Sequence, residues 1–173
     1  APSGYAPDPD VALRGIETLE RLGYTVSNRE ALARRYLRFA GTDAERVAEI
    51  NQLAGREHPV PEIVLAVRGG YGAVHLLDQL DYEGLHRRLS GAPVAIIGHS
   101  DFTAVQLALL AQAQLTTFAG PMLLADFGAD PLSDFTLTQF QSVLRSPSHV
   151  AQWLGDGASG DIDVSGTLWG GNL

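Results

Sequence analysis

Cysteine is absent from this 173-residue chain, so a disulfide framework, a thiolate metal site and a cysteine nucleophile are all excluded. Positive charge is scarce: 12 Lys and Arg stand against 20 Asp and Glu, for a net charge of -8 and a pI near 4.9. Such a chain has no electrostatic reason to approach a phosphate backbone or an anionic membrane, so neither nucleic acid nor a membrane is an expected partner. No clean membrane-spanning run is present either. Residues 102–125 carry no charge, but Gln106, Gln112, Gln114, Thr116, Thr117 and Gly120-Pro121 interrupt them. That stretch reads as a buried helix followed by a buried strand. The chain opens Ala1-Pro2-Ser3-Gly4 without an initiator Met or a basic-then-apolar leader, and a segment upstream is expected. Internal repeats and low-complexity segments are lacking.

What remains is an ordinary globular composition, 45% hydrophobic and 18% charged, long enough for one domain or for one domain and the opening of a second. Asp8-Pro9-Asp10 supplies a helix cap, a first-turn proline and a first-turn acid. Ala12, Ile16 and Leu19 then share a face and Gly23 ends the helix. Residues 24–26 read as a short strand, and residues 29–39 as a basic, weakly helical connection. Thr42-Asp43-Ala44-Glu45 is a capping box, followed by a helical stripe of Val47, Ile50 and Ala54 that closes at Gly55.

Residues 63–67 form a continuous apolar run, as in a strand covered on both faces, and empty into Arg68-Gly69-Gly70-Tyr71-Gly72. A helix with Leu76, Leu77 and Leu80 follows. Residues 93–97 repeat the theme: a short apolar strand, then Gly98-His99-Ser100-Asp101, then a helix carrying Val105, Leu109 and Ala113. The alternation predicts an α/β fold, a parallel sheet flanked by helices on both faces, with the two loops at one edge where ligands bind. Residues 116–118 are expected to form a further strand, residues 132–144 a helix, and residues 155–163 a linker. Domain boundaries follow: 1–154 for the α/β domain, and 155–173 for the linker and the start of another domain.

Two readings exist for each loop. A serine on a tight turn between strand and helix projects its hydroxyl, while the helix amino terminus offers free amides to a developing oxyanion. The same Ser100-Asp101 pair also suits a plain helix cap, and the second glycine of Gly-x-Ser-x-Gly is absent, Phe102 standing there. The three glycines at 69, 70 and 72 either make a tight turn or bring amides close to a ligand. They are no dinucleotide fingerprint, since the next required glycine falls on His75. His99 neighbours Ser100 on a strand end, where successive side chains diverge, so it is not expected to be the base. His75 reads as a solvated helix residue. His58, His86 and His149 have no motif around them, and no pair has metal-ligand spacing.

Arg68-Gly69-Gly70-Tyr71-Gly72, Gly98-His99-Ser100-Asp101 and Thr117-Phe118-Ala119-Gly120-Pro121-Met122, in this order and flanked by Ala1-Pro2-Ser3-Gly4 and Gly170-Gly171-Asn172-Leu173, resemble the LD-carboxypeptidases. This serine peptidase family also contains the microcin immunity proteins. The resemblance spans the chain and implies a Rossmann-like, class I glutamine amidotransferase-like amino-terminal domain. It makes Ser100 the nucleophile and the amides of Gly70 and Asp101 the oxyanion hole. It puts the glutamate and histidine of the triad in a carboxy-terminal domain beyond Leu173, leaving this fragment inactive alone. It implies no cofactor, a murein tetrapeptide substrate cleaved during peptidoglycan recycling, a cytoplasmic location and a homodimer. Arg68 is expected either to support the loop or to bind substrate carboxylate. The rival readings are a peptidyl-nucleotide-cleaving immunity enzyme and a non-catalytic α/β ligand-binding module.

Overall fold

A fully buried strand and a half-buried neighbour carry the fold. In the computed structural model, which describes residues 4–151 together with Ser165 and Gly166, β1 (Ile63–Leu65) pairs in parallel with β2 (Ala95–Gly98). The strand β3 (Phe118–Ala119) adds in parallel to the other side of β2, in the order β1-β2-β3. Because side chains alternate along a strand, Val64 and Ile96 face one core with Leu76, Leu85, Val105 and Leu109. Ile63, Leu65, Ala95 and Ile97 face the other, with Ile16, Leu19, Phe127 and Phe140. Both faces of the sheet are thus covered, which is why these strands read as unbroken apolar runs. Leu76, Leu85 and Leu109 are almost wholly buried, and truncating any one to alanine costs about 2–5 kcal/mol.

The helices follow their sequence signals. Helix α1 (Pro9–Arg21) is capped by the Asp8 carboxylate, which accepts from the Asp10 and Val11 amides. It ends at Gly23, where the Gly23 and Tyr24 amides donate back to the carbonyls of Glu20 and Leu19. Helix α2 (Asp43–Asn51) opens on the capping box of Thr42 and Glu45, then tightens into a 3₁₀ turn, Gln52–Ala54, closed at Gly55. Helix α3 (Tyr82–Leu89) starts at an Asp81 cap, and α4 (Thr103–Ala113) buries Val105, Leu109 and Ala113. Helix α5 (Asp134–Arg145) is capped by Ser133.

Several expectations need correction. Residues 24–26 form no strand: among the described residues they have no ladder partner, although Tyr24 and Val26 pack on the core. Residues 29–39 resolve into a 3₁₀ helix, Arg29–Ala33, and a tight reversal in which Tyr36 and Phe39 exchange backbone hydrogen bonds of 3.0 and 2.9 Å. The Leu76 helix is a 3₁₀ helix, Ala73–Gln79, and α3 was not foreseen. The uncharged stretch is less buried than expected, since Leu107, Leu110 and Ala119 are exposed. Among the described residues no helix is long and apolar enough to cross a membrane. The expected linker at residues 155–163, the boundary at 154/155, and the motifs at residues 1–3 and 170–173 lie outside the described residues.

Candidate active site

Both glycine-bearing loops leave the carboxyl ends of adjacent parallel strands, and the structure brings them into contact. Ser100 follows the end of β2 by two residues and opens a 3₁₀ turn, Ser100–Phe102, that runs straight into α4. Its backbone is left-handed, with φ at +58°. A serine pays about 1–2 kcal/mol for that conformation, and the turn aims the half-buried side chain at the loop after β1. A Cβ added to Gly69 would lie 2.8 Å from Ser100 Oγ and 3.5 Å from the Asp101 nitrogen. Only a residue without a side chain permits this approach.

Gly70, one residue on, is exposed and has φ at +123°. The Tyr5 ring occupies the space where its side chain would stand, 2.8 Å from an added Cβ. The Tyr5 amide also donates to the Gly69 carbonyl at 3.3 Å, so the amino-terminal segment backs the loop. The Arg68 guanidinium lies 5.6 Å from the Tyr5 ring centroid, a geometry that supports the loop. On the far side of the loop, Arg46 is fully buried against the Phe39 ring and its Nη1 donates to the Gly72 carbonyl at 3.4 Å.

Asp101 has a role that sequence reasoning missed. Its Oδ2 accepts from the Ala73 amide at 3.0 Å, linking the serine turn to the glycine-rich loop. No local signal encodes a contact across 28 residues; the only hint was a carboxylate beside the serine in a loop expected at the same sheet edge.

Four of the five histidines make side-chain contacts elsewhere. His99 Nδ1–H donates to the Gly120 carbonyl at 2.9 Å, and His86 Nδ1–H donates to the Ala113 carbonyl at 2.7 Å, joining α3 to α4. His75 is exposed and sits edge-on to Tyr71 at 5.5 Å, close to Asp43. His149 bonds Gln139. Among the described residues none of the five histidines is hydrogen-bonded to Ser100, and no cluster of His, Asp or Glu is placed to hold a metal ion. A cleft of about 450 Å³ lies between β3 and α5, lined by Ile97, His99, Phe118, Asp126, Phe140 and others; Ser100, Gly69 and Gly70 do not line it. The arrangement presents a hydroxyl at a helix start beside glycine amides, which suits acyl transfer once a base is supplied.

Comparison with known proteins bears on this geometry. The model of a family described as the LD-carboxypeptidase N-terminal domain matches residues 1–120. The chain is 33% identical over 132 residues to the microcin C7 self-immunity protein MccF of Escherichia coli, covering 76% of this chain and 37% of that protein. It is 30% identical over 139 residues to a probable murein peptide carboxypeptidase of Bacillus subtilis, covering 80% and 42%. Among solved structures it is similar to the muramoyltetrapeptide carboxypeptidase from Oxalobacter formigenes, at 40% identity and a TM-score of 0.70, covering 84% of this chain and 47% of that one. The chain spans less than half the length of each of these relatives.

Proposed function

This chain belongs to the LD-carboxypeptidase family, and on that premise we propose that it supplies the nucleophile of a serine peptidase that releases terminal D-alanine from murein tetrapeptide in peptidoglycan recycling. Ser100 Oγ attacks the carbonyl carbon of the residue before the D-alanine and gives its proton to a base. The amides of Gly70 and Asp101 hold the oxyanion, the protonated D-alanine amine leaves, and water hydrolyses the acyl-enzyme. The observation that carries this reading is the left-handed Ser100 at a helix start, with its hydroxyl packed on Gly69.

A base is not evident among the described histidines, so the reading assigns the triad glutamate and histidine to a carboxy-terminal domain, residues 1–154 being the nucleophile domain and 155–173 the linker and the start of the next. The 173-residue chain alone is then inactive, and the whole enzyme is a cytoplasmic homodimer. Similarity to the microcin C7 self-immunity protein, solved in complex with aspartyl sulfamoyl adenosine, supports a second substrate class, a peptidyl-nucleotide, for the same serine. Incubating the full-length protein with each substrate separates the two. The leading reading expects free D-alanine from tetrapeptide, covalent capture of Ser100 by a serine-directed reagent, and a loss of about 10⁴–10⁶ in rate in Ser100→Ala. A folded full-length enzyme that releases no D-alanine would refute it, and one that cleaves neither substrate nor reacts with the reagent would be a binding module.

A further inference from the structure

The Asp101 side chain makes a contact that a helix cap does not require. Its Oδ2 reaches out of the serine turn and accepts from the amide of Ala73, the first residue of the 3₁₀ helix that follows the glycine-rich loop. Ala73 is fully buried, and the preceding Gly72 has no side chain with which to cap that helix. Without Asp101 the Ala73 amide would be left unpaired away from water, which is penalised. The loop's other holds come from Tyr5 and Arg46, outside both strand ends. The Asp101–Ala73 hydrogen bond ties residues 68–73 to the serine turn.

We propose that the Asp101 carboxylate is a positioning residue for the reaction assigned to Ser100: it clamps the glycine-rich loop to the serine turn and so fixes the spacing of the Gly70 and Asp101 amides. The proposal rests on the function proposed above. Those two amides stand beyond the ends of different strands, so pairing of β1 with β2 sets only the roots of the loops, not their tips. Ser100 Oγ stands only 2.8 Å from where a Cβ on Gly69 would lie, and a loop displaced by about 1 Å would place the oxyanion donors wrongly, an error that costs about 10²-fold in rate. The clamp and one of the two amides belong to the same residue, so the contact acts where the geometry matters.

The test compares variants of the full-length protein on tetrapeptide. Asp101→Ala is expected to lower kcat about 10²-fold with KM changed little, whereas Asp101→Asn, whose amide oxygen still accepts from Ala73, restores most of it. A cap with no part in positioning would lower the melting temperature and leave kcat alone. Asp101→Ala retaining wild-type kcat, or Asp101→Asn as impaired as Asp101→Ala, overturns the proposal. A second arm is independent of activity: amide exchange at Ala73 in the 173-residue chain is expected to speed up in Asp101→Ala and to stay slow in Asp101→Asn, and equal rates in wild type and Asp101→Ala also overturn it. Should Asp101→Ala not fold, Asp101→Ser, too short to reach Ala73, takes its place in both arms. Failure of the wild-type enzyme to release D-alanine would instead refute the proposed function, and the exchange arm would still judge the clamp.

Discussion

In the loop after β2 the residue with positive φ is Ser100, at +58°; in the loop after β1 the positive values fall on Gly70, at +123°, and Gly72, at +112°. The serine turn is short and runs directly into an α-helix whose inner face is buried. The glycine-rich loop leads into a 3₁₀ helix and is held from outside by Tyr5, Arg46 and Asp101. Strain is therefore placed on a side-chain-bearing residue where a hydroxyl must project, and avoided by glycine where the loop offers only backbone. Backbone strain held at one functional residue is tolerable when the surroundings over-determine it. Here the strand before Ser100 and the helix after it do so.

The largest effect is expected at the point where the two loops touch. Gly69→Ala drives a methyl group to within 2.8 Å of Ser100 Oγ; we expect about 10²-fold lower kcat in the full-length enzyme and about 1–3 kcal/mol of lost stability. Near-wild-type turnover would mean that Ser100 does not react from this position.

A paired experiment comes next in size. Gly70→Ala imposes a conformation that L-residues avoid and meets the Tyr5 ring, so stability is expected to fall by about 1–3 kcal/mol. Ser100→Gly removes the cost of the left-handed serine and should leave an inactive protein that is more stable by up to about 1 kcal/mol. Urea denaturation of both reads the contrast directly. If Ser100→Gly is the more destabilising, strain is not distributed as described.

Much of this site was legible because it is encoded locally. Gly98-His99-Ser100-Asp101 between an apolar strand and an apolar helix specifies its own turn, and Thr42 to Glu45 specifies its own cap. What escaped was set by partners distant in sequence. Tyr24 to Val26 has strand-forming residues but no neighbour to pair with among the described residues, and the Asp101–Ala73 and His99–Gly120 bonds join segments 28 and 21 residues apart. Helix α3 was a missed local signal, since Asp81 caps it and Leu85 and Leu89 repeat at one-turn spacing.

The smallest effect tests whether the glycine-rich loop depends on its outer support while the serine turn does not. Arg46, which donates to the Gly72 carbonyl, sits on α2, and the α2 terminus is held by Glu45, whose Oε2 accepts from the Thr42 amide at 2.7 Å and from the Thr42 hydroxyl at 2.8 Å. Those bonds, the backbone one first, hold the Glu45 carboxyl below its ordinary value of 4.5, and the charge of Arg34 adds to them. A carboxyl whose folded value is depressed contributes stability that is complete above the unfolded value and is lost as pH falls through the folded one. Wild type is therefore expected to be modestly more stable than Glu45→Gln at pH 7, with the difference closing in acid below pH 4.5. Denaturant midpoints at pH 7 and pH 3 measure it. At pH 7 the variant should also exchange amides faster around residues 69–73 than around residues 98–102. A gap that persists unchanged in acid would show that the Glu45 charge is not what holds the α2 terminus, and exchange that rises equally in both loops would show that they share one support rather than two.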